Sequence, residues 1–316
     1  MSKRLTVVAL LAVIAAIGLY DAQVALADTD GITVHCVNVT LADPRFSSCQ
    51  DQHPLGIQDA VNHAEAEETV LVGAGTYAEQ VTVIRPLLLE GAGATLTTIK
   101  PAVAVANTTS LFSGAPIAAI LLVDGAKGVV VTDLTIDGSV AASTFACSPG
   151  YVGIFYRAGS GAIDSTHVTN IFHPLAPGCQ AVLGIFVQSG NGGPGLNSNV
   201  AILNNMVDVY GKNGITANEP GTFVTVTNNF VMGRGPTGLG DAAQNGVQVG
   251  FGARGLVTGN IISDHDYLPP DVVACGLLFA QAGGGLGRTR SNTFVANEQD
   301  ICTAGVGPSP NSPFNN

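Results

Sequence analysis

Gly153-Ile154-Phe155-Tyr156, Gly184-Ile185-Phe186-Val187, Gly214-Ile215-Thr216-Ala217, Gly246-Val247-Gln248-Val249 and Gly276-Leu277-Leu278-Phe279 are five copies of one short pattern, with glycine spacings of 31, 30, 32 and 30 residues. The residue after each glycine is aliphatic and the third residue after it is apolar, while the position between them varies. Such period-two alternation marks a strand with one buried face. A second column lies between these strands, at Leu203-Asn204-Asn205-Met206-Val207, Val226-Thr227-Asn228-Asn229-Phe230-Val231, Gly259-Asn260-Ile261-Ile262 and Ser291-Asn292-Thr293-Phe294, and Asp133 and Thr166 fit the same column. An asparagine recurring at a turn can adopt the left-handed conformation, and stacked copies can hydrogen-bond one another. Two columns repeating in one order at one interval indicate a solenoid, which antiparallel sandwiches would not produce. The reading is all-β, a single-stranded parallel β-helix.

Working outward, Ile120-Leu121-Leu122-Val123, Pro86-Leu87-Leu88-Leu89-Glu90-Gly91 and Thr69-Val70-Leu71-Val72 read as strands of earlier coils. About eight coils then fit between Thr69 and Cys302. Ile57, Ala60, Val61 and Ala64 stand at helical spacing, which predicts an N-terminal helix capping the open first coil. The expected organisation is a signal peptide at 1–27, an N-terminal segment with its capping helix at 28–68, the β-helix at 69–302 and a flexible tail at 303–316.

Composition agrees. Only 11% of the 316 residues are charged, 40 are glycine and none is tryptophan, which excludes long helical and coiled-coil folds. An apolar share of 46% excludes disorder. Lys3 and Arg4 precede an apolar run from Leu5 to Leu19, followed by Ala25-Leu26-Ala27, the pattern of a secretory signal peptide cleaved after Ala27. The run is short for a membrane span. Without Lys3, Arg4 and Asp21, 10 basic and 22 acidic residues remain, a net charge of −12 that disfavours nucleic acid and anionic lipid as partners. An exported chain with an even cysteine count favours disulfides. Cys147 and Cys179 are 32 residues apart and Cys275 and Cys302 are 27 apart, each near one coil, so each pair is expected to bond; Cys36 and Cys49 then staple the N-terminal segment.

The stretch Ile57-Gln58-Asp59-Ala60-Val61, Val70-Leu71-Val72, Gly75-Thr76-Tyr77-Ala78-Glu79-Gln80-Val81 and Leu87-Leu88-Leu89-Glu90-Gly91-Ala92-Gly93 resembles the first coil of the pectin lyase-like superfamily, pectin methylesterases included. The resemblance implies right-handed winding and a polysaccharide as partner. Its functional motifs are not carried over: the chain has neither the Asp-Phe-Ile-Phe-Gly of methylesterases nor the Gly-His-Gly and Arg-Ile-Lys of polygalacturonases. Asp264-His265-Asp266-Tyr267 is similar to the Asp-Pro-His-Asp of alginate epimerases, without the proline.

Charged residues gather in the connections that lead from the asparagine column to the glycine strand. Tyr210, Arg234 and His265 fall five residues after Asn205, Asn229 and Asn260, so successive coils are expected to bring them together. For β-elimination or epimerisation of a uronate, His265 would be the base, Tyr210 or Tyr267 the acid, and Arg234 with Lys212 the carboxylate clamp. Asp264 and Asp266 would hold Ca²⁺. Gln188, Asn213, Asn218, Gln244, Asn245 and Gln248, with His173, would form an outward polar strip for sugar hydroxyls, walled by Phe155 and Phe186. The alternative is a non-catalytic exported β-helix that acts as a surface or carbohydrate-binding protein; a monomer is expected in either case. His35, His53 and His63 lie in the N-terminal segment, away from this cluster, and are read as having no catalytic role.

Overall fold

The computed structural model describes residues 32–139, 147–281 and 287–304. The expected leader at 1–27 lies outside them, as does the tail beyond Ala304; Thr303 and Ala304 belong to the last strand, Gln299–Ala304. Apart from one antiparallel bridge pair, every paired strand runs parallel, in three sheets. Sheet A begins with Asp51–Gln52 and Val34–Val37 and continues from Glu68–Val72 to Gly287–Arg290. Sheet B runs from Gly75–Tyr77 to Thr293–Val295, and sheet C from Val81–Val83 to Gln299–Ala304. Each coil contributes one strand to each sheet, and the eight strands of sheet B count eight coils among the described residues. This is the parallel β-helix that the two columns predict, with the glycine column in sheet C and the asparagine column at the turn from A to B.

Parallel pairing puts equal positions of successive coils in register, so side chains stack in ladders. Ile154, Ile185, Ile215, Val247 and Leu277 form one inside sheet C, Val131, Ile163, Ile202, Val226 and Val257 another inside sheet A, and Ile136, Val168, Val207, Val231 and Ile262 a third inside sheet B, all fully buried. Space, not backbone dihedral, explains the glycine column. A methyl on Gly214 would lie 2.7 Å from Val231 Cγ1, 2.8 Å from Gly246 O and 2.9 Å from Tyr210 Cζ, and Gly184 and Gly246 face the same obstruction one coil away.

The asparagine column separates into two positions with different work. Asn204, Asn228, Gly259 and Ser291 take the left-handed conformation, as do Asp133 and Ser165 in earlier coils. The next residue builds the ladder: Asn205 Nδ2 donates to Asn229 Oδ1, Asn229 Nδ2 to Asn260 Oδ1 and Asn260 Nδ2 to Asn292 Oδ1, each at 2.9 Å. Each amide nitrogen also donates to a carbonyl of an adjoining coil, as Asn229 does to Ile202 O at 2.8 Å. Thr166 stands at the ladder position and receives the chain's end, its N–H donating to Asn205 Oδ1 at 2.9 Å.

Helix α1, Ile57–His63, buries Ile57, Ala60 and Val61 against the first coil. The N–H groups of Ile57 and Gln58 donate to the two carboxylate oxygens of Glu79, both at 2.9 Å, and Arg85 donates to Ala64 O at the other end. Both ends of a short helix are thereby satisfied by side chains of the coil it covers. The disulfides Cys147–Cys179 and Cys275–Cys302 form as the coil spacing predicts and the remaining pair, Cys36–Cys49, staples the N-terminal segment, with Cα separations of 5.1, 5.9 and 5.8 Å. Among the described residues no helix is long and apolar enough to cross a membrane.

Two substitutions test this account by urea unfolding. Gly214→Ala forces a methyl into filled space and should cost about 1–3 kcal/mol or more. Asn229→Ala should cost about 2–4 kcal/mol by leaving buried amide partners unsatisfied, whereas Asn228→Gly, one residue earlier and already left-handed, should stay within about 1 kcal/mol of the parent. Equal losses at Asn228 and Asn229 would contradict the division of labour.

Candidate functional site

Tyr210 and His265 do meet, but inside the solenoid. Both are fully buried, and the Tyr210 hydroxyl shares a short hydrogen bond with His265 Nε2. On the far side of the ring, His265 Nδ1 lies 2.8 Å from Asn297 Oδ1. With Nδ1–H donating to the amide oxygen and the hydroxyl donating to Nε2, the imidazole is neutral and its lone pair is used. Burial pushes His265 down to about 4, against the opposing pull of Asn297 and Asp264, and raises Tyr210 well above its ordinary value. The expected base and acid are therefore an internal pair that no polymer can reach.

Arg234 does not join them, because the coil between is bulged. Sheet B pairs Met232 with Ser263 but Gly235 with His265, so the register shifts and Gly233 takes the inward place beside His265. Arg234 turns outward, where its Nε donates to Tyr210 O at 3.2 Å, a terminal nitrogen pairs with Asp241 at 3.2 Å, and the guanidinium lies 4.0 Å over the Phe172 ring. Lys212 is fully buried and donates to Ala243 O; burial lowers its ammonium to about 7. Tyr267 packs with Ala243 and Ala274. Asp264 and Asp266, half-buried, flank the inward His265 and belong to neither of the His and carboxylate groups gathered among the described residues. His173 is 3% exposed.

The polar strip is real but covered. Gln188, Asn213, Asn218, Gln244, Asn245 and Gln248 are all at most 1% exposed, and the amides are bonded chiefly to one another. Asn245 Nδ2 donates to Asn213 Oδ1 at 2.9 Å, Asn213 Nδ2 to Gln248 Oε1 at 3.2 Å and Gln248 Nε2 to Asn218 Oδ1 at 3.0 Å. Gln244 donates to Tyr210 O and accepts from Arg234 N. Phe155 and Phe186 stack at 4.7 Å between centroids but are themselves fully buried, in a second apolar cluster on the outer face of sheet C with Ile117, Leu122, Val152 and Leu183. The connection 100–115 runs along this face: Thr108–Thr109 pairs with Pro116–Asp124, Arg157 Nε donates to Thr109 O, and Leu111 N donates to Gln188 Oε1. Outward alternation was legible in the sequence; the cover was not, because aperiodic connections leave no pattern.

Two features stand out only once the coils are stacked. Glu219, at the end of the strip, is 6% exposed, and burial pushes its carboxyl up to about 7 despite a hydrogen bond with Gln188. On sheet B, His167 Nε2 lies 3.1 Å from Asp208 Oδ2. Burial alone would raise Asp208, but the bonds from His167 and Thr169 prevail and hold it below its ordinary value. The outer face of sheet B is open: Met206, Phe230 and Ile261 form one register column across three coils, with Met206 38% and Ile261 43% exposed.

No family model and no curated protein matches the sequence. Solved structures similar to this chain include pectin methylesterase PemA from Erwinia chrysanthemi, with 12% identity and a TM-score of 0.45 over 83% of this chain and 93% of that one. Pectin methylesterase from carrot gives 14% and 0.42 over 88% and 90%. Alginate lyase from Paenibacillus sp. str. FPU-7 gives 15% and 0.38 over 78% and 94%.

Glu219 and Lys212 should leave opposite marks on stability. Native Glu219 keeps its proton from about 4.5 to 7 while the unfolded chain loses it, so stability falls as pH rises through that window. Native Lys212 is deprotonated above about 7 while the unfolded chain stays charged to about 10.5, so stability rises with pH above 7. In urea titrations, Glu219→Gln should flatten the acid limb and Lys212→Met the alkaline limb, each by up to about 1.4 kcal/mol per pH unit. Unchanged curves would mean that these groups are solvated.

Proposed function

We propose that this chain is an exported β-helix that binds a neutral polysaccharide along the outer face of sheet B and performs no chemistry at His265. The observation that carries this reading is the open column of Met206, Phe230 and Ile261, which offers one apolar side chain per coil. The exposed amides of Asn204 and Asn228 border it, and the His167–Asp208 pair stands at one end. A ligand of repeating units suits a surface of repeating units: the C–H faces of sugars pack on apolar side chains, while amides supply donors and acceptors to hydroxyls. The net charge of −12 that remains without Lys3, Arg4 and Asp21 favours a neutral glycan over a polyuronate. Three disulfides suit an oxidising compartment outside the cytosol.

Lyase or epimerase chemistry at His265 would require the solenoid to open, since the ring and its Tyr210 partner are fully buried. The test is retention of purified protein on insoluble neutral glycans, alongside incubation with pectate and alginate, with and without Ca²⁺, read at the unsaturated-uronate absorbance. Retention on at least one neutral glycan and no absorbance change are expected. Phe230→Ala should weaken binding up to about tenfold, while Phe223→Ala, on sheet A, should leave it unchanged. Unsaturated products, or binding indifferent to Phe230→Ala, would defeat the reading.

A further inference from the structure

Three of the six histidines meet carboxylates at the N-terminal cap. His35 lies on Val34–Val37 and Asp51 opposite it on Asp51–Gln52, in register in sheet A. His53 follows directly, its N–H donating to Cys36 O at 2.7 Å, and the Cys36–Cys49 disulfide ties the two segments together. His35 Nδ1 is 2.9 Å from His53 Nε2 and 3.6 Å from Asp51 Oδ2, and His53 Nε2 is 3.2 Å from the same oxygen. These edges bracket the roughly 3.3 Å that separates ligands placed about 2.0–2.1 Å from a tetrahedral Zn²⁺.

The far nitrogens of both rings decide the question. His35 Nε2 lies 2.9 Å from Glu68 Oε2, and His53 Nδ1 lies 2.9 Å from Asp59 Oδ2. Glu68 is itself fixed by the N–H groups of Thr33 and Glu65. A carboxylate on the outer nitrogen draws the ring proton there, as it does for metal-bound histidines, and leaves the inner nitrogen as a lone pair. Two lone pairs would then face each other at 2.9 Å beside the Asp51 carboxylate, an arrangement that a cation between them relieves. Both imidazoles are 5% exposed and Asp51 is 52% exposed, so the fourth position opens toward solvent.

We propose that His35 Nδ1, His53 Nε2 and Asp51 Oδ2 form a binding site for one divalent first-row transition ion of the zinc class. Neutral imidazoles with one carboxylate are ligands of that class, and softer thiolates are absent from the triad. Glu68 and Asp59 orient the rings. The ion would join the first two strands of sheet A to α1, which carries Asp59 and His63, with His63 Nδ1 bonded to Asp59 O at 2.8 Å. It would thus close the cap as a fourth staple beside the disulfide.

Tag-free full-length protein, stripped with a chelator, should take up one equivalent of Zn²⁺ by calorimetry, and Co²⁺ should give the intense visible bands of a tetrahedral site. Zn²⁺ should raise the thermal midpoint of the parent but not of Asp51→Asn, whose exposed side chain can change without disturbing the core. Asp51→Asn and His53→Gln should each weaken uptake at least tenfold, and Asp59→Asn by about 10–100-fold, in proteins whose circular dichroism shows the fold intact. Asp271→Asn, an exposed carboxylate far along the chain from the cap, should leave uptake unchanged. Absence of stoichiometric uptake, with imidazole ¹⁵N signals showing a proton shared between His35 and His53, overturns the site. Uptake that persists in both Asp51→Asn and His53→Gln overturns it as well.

Discussion

Each coil hydrogen-bonds to the coil before it and the coil after it, so every side chain must suit its own counterparts above and below. That single constraint produces both columns. Where the backbones pass closest, as at Gly184, Gly214 and Gly246, a neighbouring carbonyl and an inner valine or isoleucine leave no room for Cβ. Where the chain turns inside, one asparagine can bond upward and downward at once; Asn205, Asn229 and Asn260 do so, and Asn292 ends the ladder. The apolar ladders fill what remains. The low charge of the chain follows, since each coil keeps most of its residues either in the interior or paired across coils.

The same constraint explains what the sequence makes legible. Gly153 to Phe279 announces sheet C because the collision it avoids recurs in each coil, and the disulfide partners are readable because coil length sets their separation. Connections are free of that repetition. Nothing periodic says that residues 100–115 cover Phe155 and Phe186, or that a bulge at Gly233 turns Arg234 out of line. Equal spacing from the asparagine column placed Tyr210, Arg234 and His265 in one file, and the structure keeps only Tyr210 and His265 there. The grouping of the N-terminal histidines with carboxylates is illegible for a related reason. His35, Asp51 and His53 are joined by strand pairing between segments that lack a repeat, so their distances along the chain carry no signal.

Burial reverses the meaning of polar residues in this molecule. An amide strip on the outside of a sheet reads as a ligand surface, yet Asn213, Asn245, Gln248 and Asn218 bond to one another under cover. Their neutrality permits that arrangement, because amides carry donors and acceptors in equal number and can close a network without charge. Lys212 and Glu219, which cannot close one so cheaply, are instead shifted toward neutrality. Open surface is found on sheet B, where apolar side chains such as Met206 and Ile261 stand in solvent.

The bond between Asn245 and Asn213 also bears on chemical ageing. Asn213-Gly214 and Asn245-Gly246 are the dipeptide in which deamidation is fastest, because the unhindered glycine nitrogen attacks the side-chain carbonyl to form a succinimide. Here the same glycines are held in sheet C and both side-chain oxygens accept hydrogen bonds, Asn213 Oδ1 from Asn245 and Asn245 Oδ1 from Cys275 N. A repeat that sets glycine after asparagine in two of its coils thus disarms, by its own stacking, the hydrolytic clock that the dipeptide would otherwise set running.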